Sequence, residues 1–92
     1  MTAIPLTRRP GGVRAYKLLL SVGWPGRDLE QQTHEGYEWI YVLDGRLRLR
    51  LAEQDVVLAA GEAAEFDTRT PHVLANANDN MTELLALFGP PG

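Results

Sequence analysis

Between Arg46 and Leu51 charged and apolar residues alternate without a break. A period of two puts Leu47, Leu49 and Leu51 on one face of a strand and Arg46, Arg48 and Arg50 on the other. A strand-like signal starts at Val13, and the same period puts Tyr16, Leu18, Leu20 and Val22 on one face. It stops at Trp24-Pro25-Gly26, where Pro-Gly supplies turn chemistry. Glu38 to Leu43 is rich in β-formers, namely Trp39, Ile40, Tyr41 and Val42. Asp44-Gly45 follows, which predicts a tight hairpin into the next strand. Further short strands are expected over 29–33, 55–58, 63–66, 72–75 and 81–88. The segment Leu84-Leu85-Ala86-Leu87 would suit a helix by composition, but its length and β surroundings favour a strand. Residues 1–12, with Pro5, Pro10, Gly11 and Gly12, predict a flexible arm, and Gly89-Pro90-Pro91-Gly92 closes the domain that occupies 13–92. About eight short strands, with turns every eight to twelve residues, define an all-β sandwich or barrel.

Composition narrows the functions. A chain of 92 residues is one small domain with a modest core. It has no cysteine, which removes disulfides, thiolate metal sites and a cysteine nucleophile. Its net charge is −3, and the arginines at 46, 48 and 50 form no long basic stripe, so nucleic acid is not an expected partner. No apolar run reaches the roughly 20 residues of a membrane helix, and residues 1–10 lack a signal-peptide core. A cytoplasmic location without membrane association is the expectation. There is no nucleophile elbow, phosphate loop or dinucleotide fingerprint, and Ser21 is the one serine.

The candidate chemistry lies in three residues. His34 and His72 are the two histidines, each beside an expected strand. Gln32 shares parity with His34. Glu38 shares parity with Ile40 and Val42, the apolar face of its strand, where an unpaired carboxylate is costly. Two imidazoles and a carboxylate form a donor set for a divalent transition metal such as Zn, Mn, Fe or Ni, with positions left open. The plainer alternative is that both histidines are solvated or satisfied by hydrogen bonds.

The spacing of these residues resembles the cupin family. Gln32-Thr33-His34-Glu35-Gly36-Tyr37-Glu38, followed by Gly45, is similar to the first cupin motif. Gly61, Pro71, His72 and Asn76 are similar to the second. The resemblance covers about residues 13–88. It implies a double-stranded β-helix (jelly-roll) barrel, commonly a homodimer, with a metal or ligand inside. It also implies that His34, Glu38 and His72 occupy three of the four usual ligand positions. Gln32 stands where the family's first histidine would be, and an amide oxygen is a weaker ligand for Zn or Ni. The runs Gly61–His72 and His34–Trp39 resemble the C-terminal cupin sensor domain of helix-turn-helix transcriptional regulators. No pair of helical segments precedes the barrel here, so the chain is expected to be a stand-alone relative or a fragment, and DNA binding is not carried over.

Tyr37, Ile40 and Arg69 are candidate ligand-pocket residues. Trp39 and Tyr41, on the face opposite Glu38, are expected to pack between sheets or against a second subunit. Phe66 and Leu74 are expected in the core, Asp67 in a turn, and the three clustered arginines on a solvated face. The leading functional expectation is a small-molecule binding or sensor module, with or without the assistance of a metal. The alternative is a small metal-dependent enzyme of dioxygenase or isomerase type, and a third reading is an interaction domain with an empty barrel. Whether the chain is an enzyme stays open at this point.

Overall fold

The computed structural model describes residues 1–9, 11–27 and 29–90. The expectations for Pro10, Pro91 and Gly92 lie outside the described residues. The strands are β1 (Thr2–Pro5), β2 (Arg14–Leu20), β3 (Tyr37–Asp44), β4 (Arg46–Leu51), β5 (Gln54–Ala59), β6 (Ala63–Asp67), β7 (His72–Asn76) and β8 (Thr82–Gly89). They form a five-stranded sheet in the order β1-β2-β8-β3-β6 and a three-stranded sheet in the order β5-β4-β7. All pairings are antiparallel. The inward faces of the two sheets enclose the core, as the double-stranded β-helix requires. Among the described residues no helix is long and apolar enough to cross a membrane.

Alternation governs what each sheet turns inward. Across the large sheet, register places Arg14, Phe88, Glu38 and Phe66 in one row. Tyr16, Ala86, Ile40 and Ala64 form the next, and Leu18, Leu84 and Val42 the one after. The small sheet answers with Leu47 and Leu49, both fully buried, and with the half-buried Leu51 and Leu74. Leu18, Leu20, Ile40, Val42, Leu47, Leu49 and Leu84 pack into one cluster. Each fully buried aliphatic side chain contributes about 2 kcal/mol by its removal from water. The rows therefore grade from close packing at the Leu20 end to the polar residues Arg14 and Glu38 at the other.

Four sequence expectations are corrected. Asp44-Gly45 is not a hairpin: β3 pairs with β8 and β6, whereas β4 pairs with β5 and β7. The chain instead crosses between sheets there. Gly45 (φ 92°) sits so close to Thr82 that an added Cβ would lie 2.5 Å from its hydroxyl oxygen. A left-handed glycine serves a sheet-to-sheet corner as well as a hairpin, so the local signal cannot separate them. The segment 29–33 is no strand; it makes a single bridge, Gln32 to His72. The arm expected over 1–12 contains β1, an exposed strand ordered by backbone pairing with β2. Val22 lies beyond the end of β2 and is 64% exposed, off the buried face.

Gly45→Ala should lower stability by about 2 kcal/mol or more, from left-handed strain plus the clash with Thr82. Urea denaturation measures this, and an unchanged midpoint would contradict the corner geometry.

Candidate metal and ligand site

Glu38 is the second residue of β3, and alternation turns it inward with Ile40 and Val42. It is 2% exposed, and its Oε2 is buried with no hydrogen-bond partner. Burial pushes its carboxyl up to about 7, because the charged form loses its hydration without gaining a partner.

His72 opens β7 and faces inward, in register with Leu51. It is 6% exposed, and its Nδ1 lies 2.8 Å from the Thr70 carbonyl oxygen. A carbonyl can only accept, so Nδ1 carries the proton and donates it. That leaves Nε2 as the lone-pair nitrogen, the arrangement that fixes a ligating imidazole.

His34 comes from the connection between β2 and β3 and is exposed. Its loop is fastened by backbone bonds. Gln32 N–H donates to the His72 carbonyl (2.8 Å) and His72 N–H returns the bond (2.9 Å). His34 N–H donates to the Thr68 carbonyl (3.0 Å), and Thr68 N–H donates to the Gly36 carbonyl (3.1 Å). Gly36 (φ 124°) approaches the Gly89 carbonyl so closely that a Cβ there would lie 2.7 Å from it.

These elements bring His34, Glu38 and His72 together, one ligand atom from each within 4.8 Å of the others. The two imidazole rings meet edge to face with centroids 5.1 Å apart, and Phe66 lies 5.1 Å from the His72 ring. The donor set, the orphaned Glu38 oxygen and the tautomer of His72 all fit a divalent transition metal. Gln32 lines the same cavity, but it is its backbone that bridges to His72.

The cluster opens into a cavity of about 670 Å³, within the size range of small-molecule sites. Tyr16, Leu18, Trp24, Leu74 and Phe88 form apolar walls, and Met1 and Ala3 reach the rim. Arg14 and Glu30 also line it.

The three expected pocket residues stand elsewhere. Tyr37 has outward parity, is 41% exposed and donates its hydroxyl proton to Glu65. Ile40 is fully buried in the packed core, one row below Glu38. Arg69 is exposed in the β6–β7 turn, where its guanidinium grips Asp67 (Nη2 to Oδ2, 2.6 Å) and holds that carboxyl down to about 2. In their place the cavity uses Arg14, Tyr16, Trp24 and Phe88. Arg14 was detectable: it shares parity with Tyr16, Leu18 and Leu20, a charge on an otherwise apolar stripe. Trp24 gave no such signal, since it sits in an irregular turn.

A family model described as Cupin domain matches residues 20–88, and the chain belongs to the cupin family. No curated protein sequence is similar enough to count as a match. TT1209 from Thermus thermophilus is 27% identical, with a TM-score of 0.80 over 100% of this chain and 85% of that one. The Cupin_2 domain of an XRE family transcriptional regulator from Enterobacter cloacae is 21% identical, with a TM-score of 0.80 over 99% of this chain and 97% of that one. Iron(II) HppE in complex with substrate is 20% identical, with a TM-score of 0.79 over 94% of this chain and 52% of that one. The chain is thus similar in fold to a regulator's cupin domain and to about half of a metalloenzyme.

In the metal-free chain, Glu38 holds a proton between pH 4.5 and about 7 that the unfolded chain has released. Stability contributed by this group should therefore fall as pH rises through that window, by up to about 3 kcal/mol. Glu38→Gln should flatten this part of the profile. Urea midpoints of both chains across the window measure it, and parallel profiles would mean that the carboxyl is not buried as described.

Proposed function

We propose that this chain is a small-molecule binding or sensor cupin that holds a divalent transition metal on His34, Glu38 and His72. The observation that carries this reading is the convergence of three ligand atoms at the wall of an apolar cavity, with a buried carboxylate oxygen that nothing in the protein satisfies. A bound metal would supply a Lewis-acid centre with open positions for a ligand. The protein's own part is to hold the His72 tautomer and to anchor the His34 loop to the β6–β7 connection. The similarity to the cupin domain of an XRE family regulator supports the sensor role.

A second reading is a small metal-dependent enzyme. Two histidines and one carboxylate are the donor set of open iron sites, and iron(II) HppE, crystallised with its substrate, shares the fold. Oxygen consumption by the Fe(II)-loaded chain with candidate small acids would favour the enzyme. Ligand-induced stabilisation without turnover would favour the sensor.

Elemental analysis after purification without a chelating column should find about one Zn, Mn, Fe or Ni ion per chain. His72→Ala should lower affinity by roughly 100-fold or more, and His34→Ala should also weaken uptake. Metal content unchanged in both variants would overturn the site.

A homodimer is part of the same reading. Trp39 stacks on Tyr41 on the outer face of the large sheet (centroids 6.0 Å, interplanar angle 19°), with Leu85 and Leu87 directly opposite on β8. Such an aromatic and aliphatic face suits a second copy of the chain. Trp39→Glu should convert the dimer to monomer in sedimentation equilibrium while leaving metal uptake intact. A chain that is monomeric before substitution would refute the dimer.

A further inference from the structure

Arg14 is the first residue of β2 and shares inward parity with Tyr16, Leu18 and Leu20. It lines the cavity, and its Nε is shut off from solvent without an acceptor. The ion pairs among the described residues are Lys17–Glu83, Arg48–Asp55 and Arg69–Asp67; Arg14 belongs to none. A buried guanidinium nitrogen without a partner is costly; Arg50 Nε is unpaired too, and what distinguishes Arg14 is that it lines the cavity, where a ligand can supply the acceptor. Register fixes its distance from the metal cluster. Arg14, Phe88 and Glu38 occupy neighbouring positions on β2, β8 and β3. At one strand spacing each, the Arg14 and Glu38 backbones stand roughly 10 Å apart with Phe88 between them. Two buried polar atoms without partners, Arg14 Nε and Glu38 Oε2, thus belong to one wall of the chamber, on either side of Phe88.

We propose that the cavity selects small monoanionic carboxylates with an apolar body, and that Arg14 is the specificity-determining residue that receives the carboxylate. The planar guanidinium fork matches a carboxylate in shape and charge. Tyr16, Trp24 and Phe88 offer aromatic faces to an aryl or branched aliphatic body. A single arginine facing a chamber that also carries Glu30 and Glu38 favours one negative charge over two. This inference rests on reading the cavity as a small-molecule site, but not on the metal being bound.

The chain has two tryptophans, and Trp24 is the one on the cavity wall. In Trp39→Phe, emission therefore reports from the chamber alone. Titrating this metal-free protein with 3-phenylpropionate and its neutral isostere 3-phenylpropionamide should give a carboxylate Kd lower by roughly tenfold. Adding Arg14→Gln should abolish that preference by weakening carboxylate binding more than amide binding, whereas Arg14→Lys should restore part of it. Thermal melts of each variant verify folding. Equal binding of the two probes, or a preference that survives Arg14→Gln in a folded chain, would overturn the proposal. So would the absence of a saturable signal with either probe at millimolar concentration, which would also remove the cavity as a small-molecule site. Zinc uptake, followed in parallel by competition with a chromophoric chelator, decides the metal reading separately.

Discussion

The site depends on a carboxylate held indoors by strand alternation. Glu38 cannot turn outward without turning Ile40 and Val42 outward as well, since all three share the inward face of β3. The fully buried Ile40 and Val42 fix that face, and the apolar neighbours then raise the cost of charge at Glu38. Core packing and site chemistry are therefore one decision of the chain. The stability of Ile40 and Val42 in the core is what keeps a polar group in a place it would not choose alone.

The row structure of the large sheet explains why this barrel is solid at one end and open at the other. Leucines and valine fill the Leu18–Leu84–Val42 row and meet Leu47 and Leu49 of the facing sheet. Two rows further along, Arg14, Phe88, Glu38 and Phe66 replace them around the cavity, whose wall reaches back to Tyr16 and Leu18. At the closed end Thr82 and Asn76 tie the connections together. The Asn76 amide donates to the carbonyls of Leu20, Ser21 and Asn80, and its Oδ1 accepts from Thr82. That end anchors the strands, and the opposite end is free to differ in chemistry.

Much of this was legible in the sequence, for a physical reason. The unbroken alternation of β4 and the β-branched and aromatic run of β3 both obey the period that a half-buried strand imposes. The inward placement of Glu38 followed from that parity, and the grouping of His34, Glu38 and His72 followed from motif spacing. What was hidden depended on long-range partners. β1 is exposed on every residue and shows no alternation, so only its register with β2 reveals it. Asp44-Gly45 looks the same whether its strands pair with each other or part into different sheets. Tyr37 and Arg69 were drawn elsewhere by Glu65 and Asp67, partners that a local reading of the cavity does not weigh.

The backbone bonds that join Gln32 and His34 to the segment from Thr68 to His72 have a mechanical result. Both imidazoles ride on stretches of chain zipped to one another, and Glu38 belongs to a different element. The same zipper continues through the Thr68–Gly36 bond into the β3–β6 ladder that holds Glu38, so all three donors hang on one connected set of backbone bonds. A change anywhere along that zipper, even one that touches no donor atom, would therefore alter how the three donors sit relative to one another.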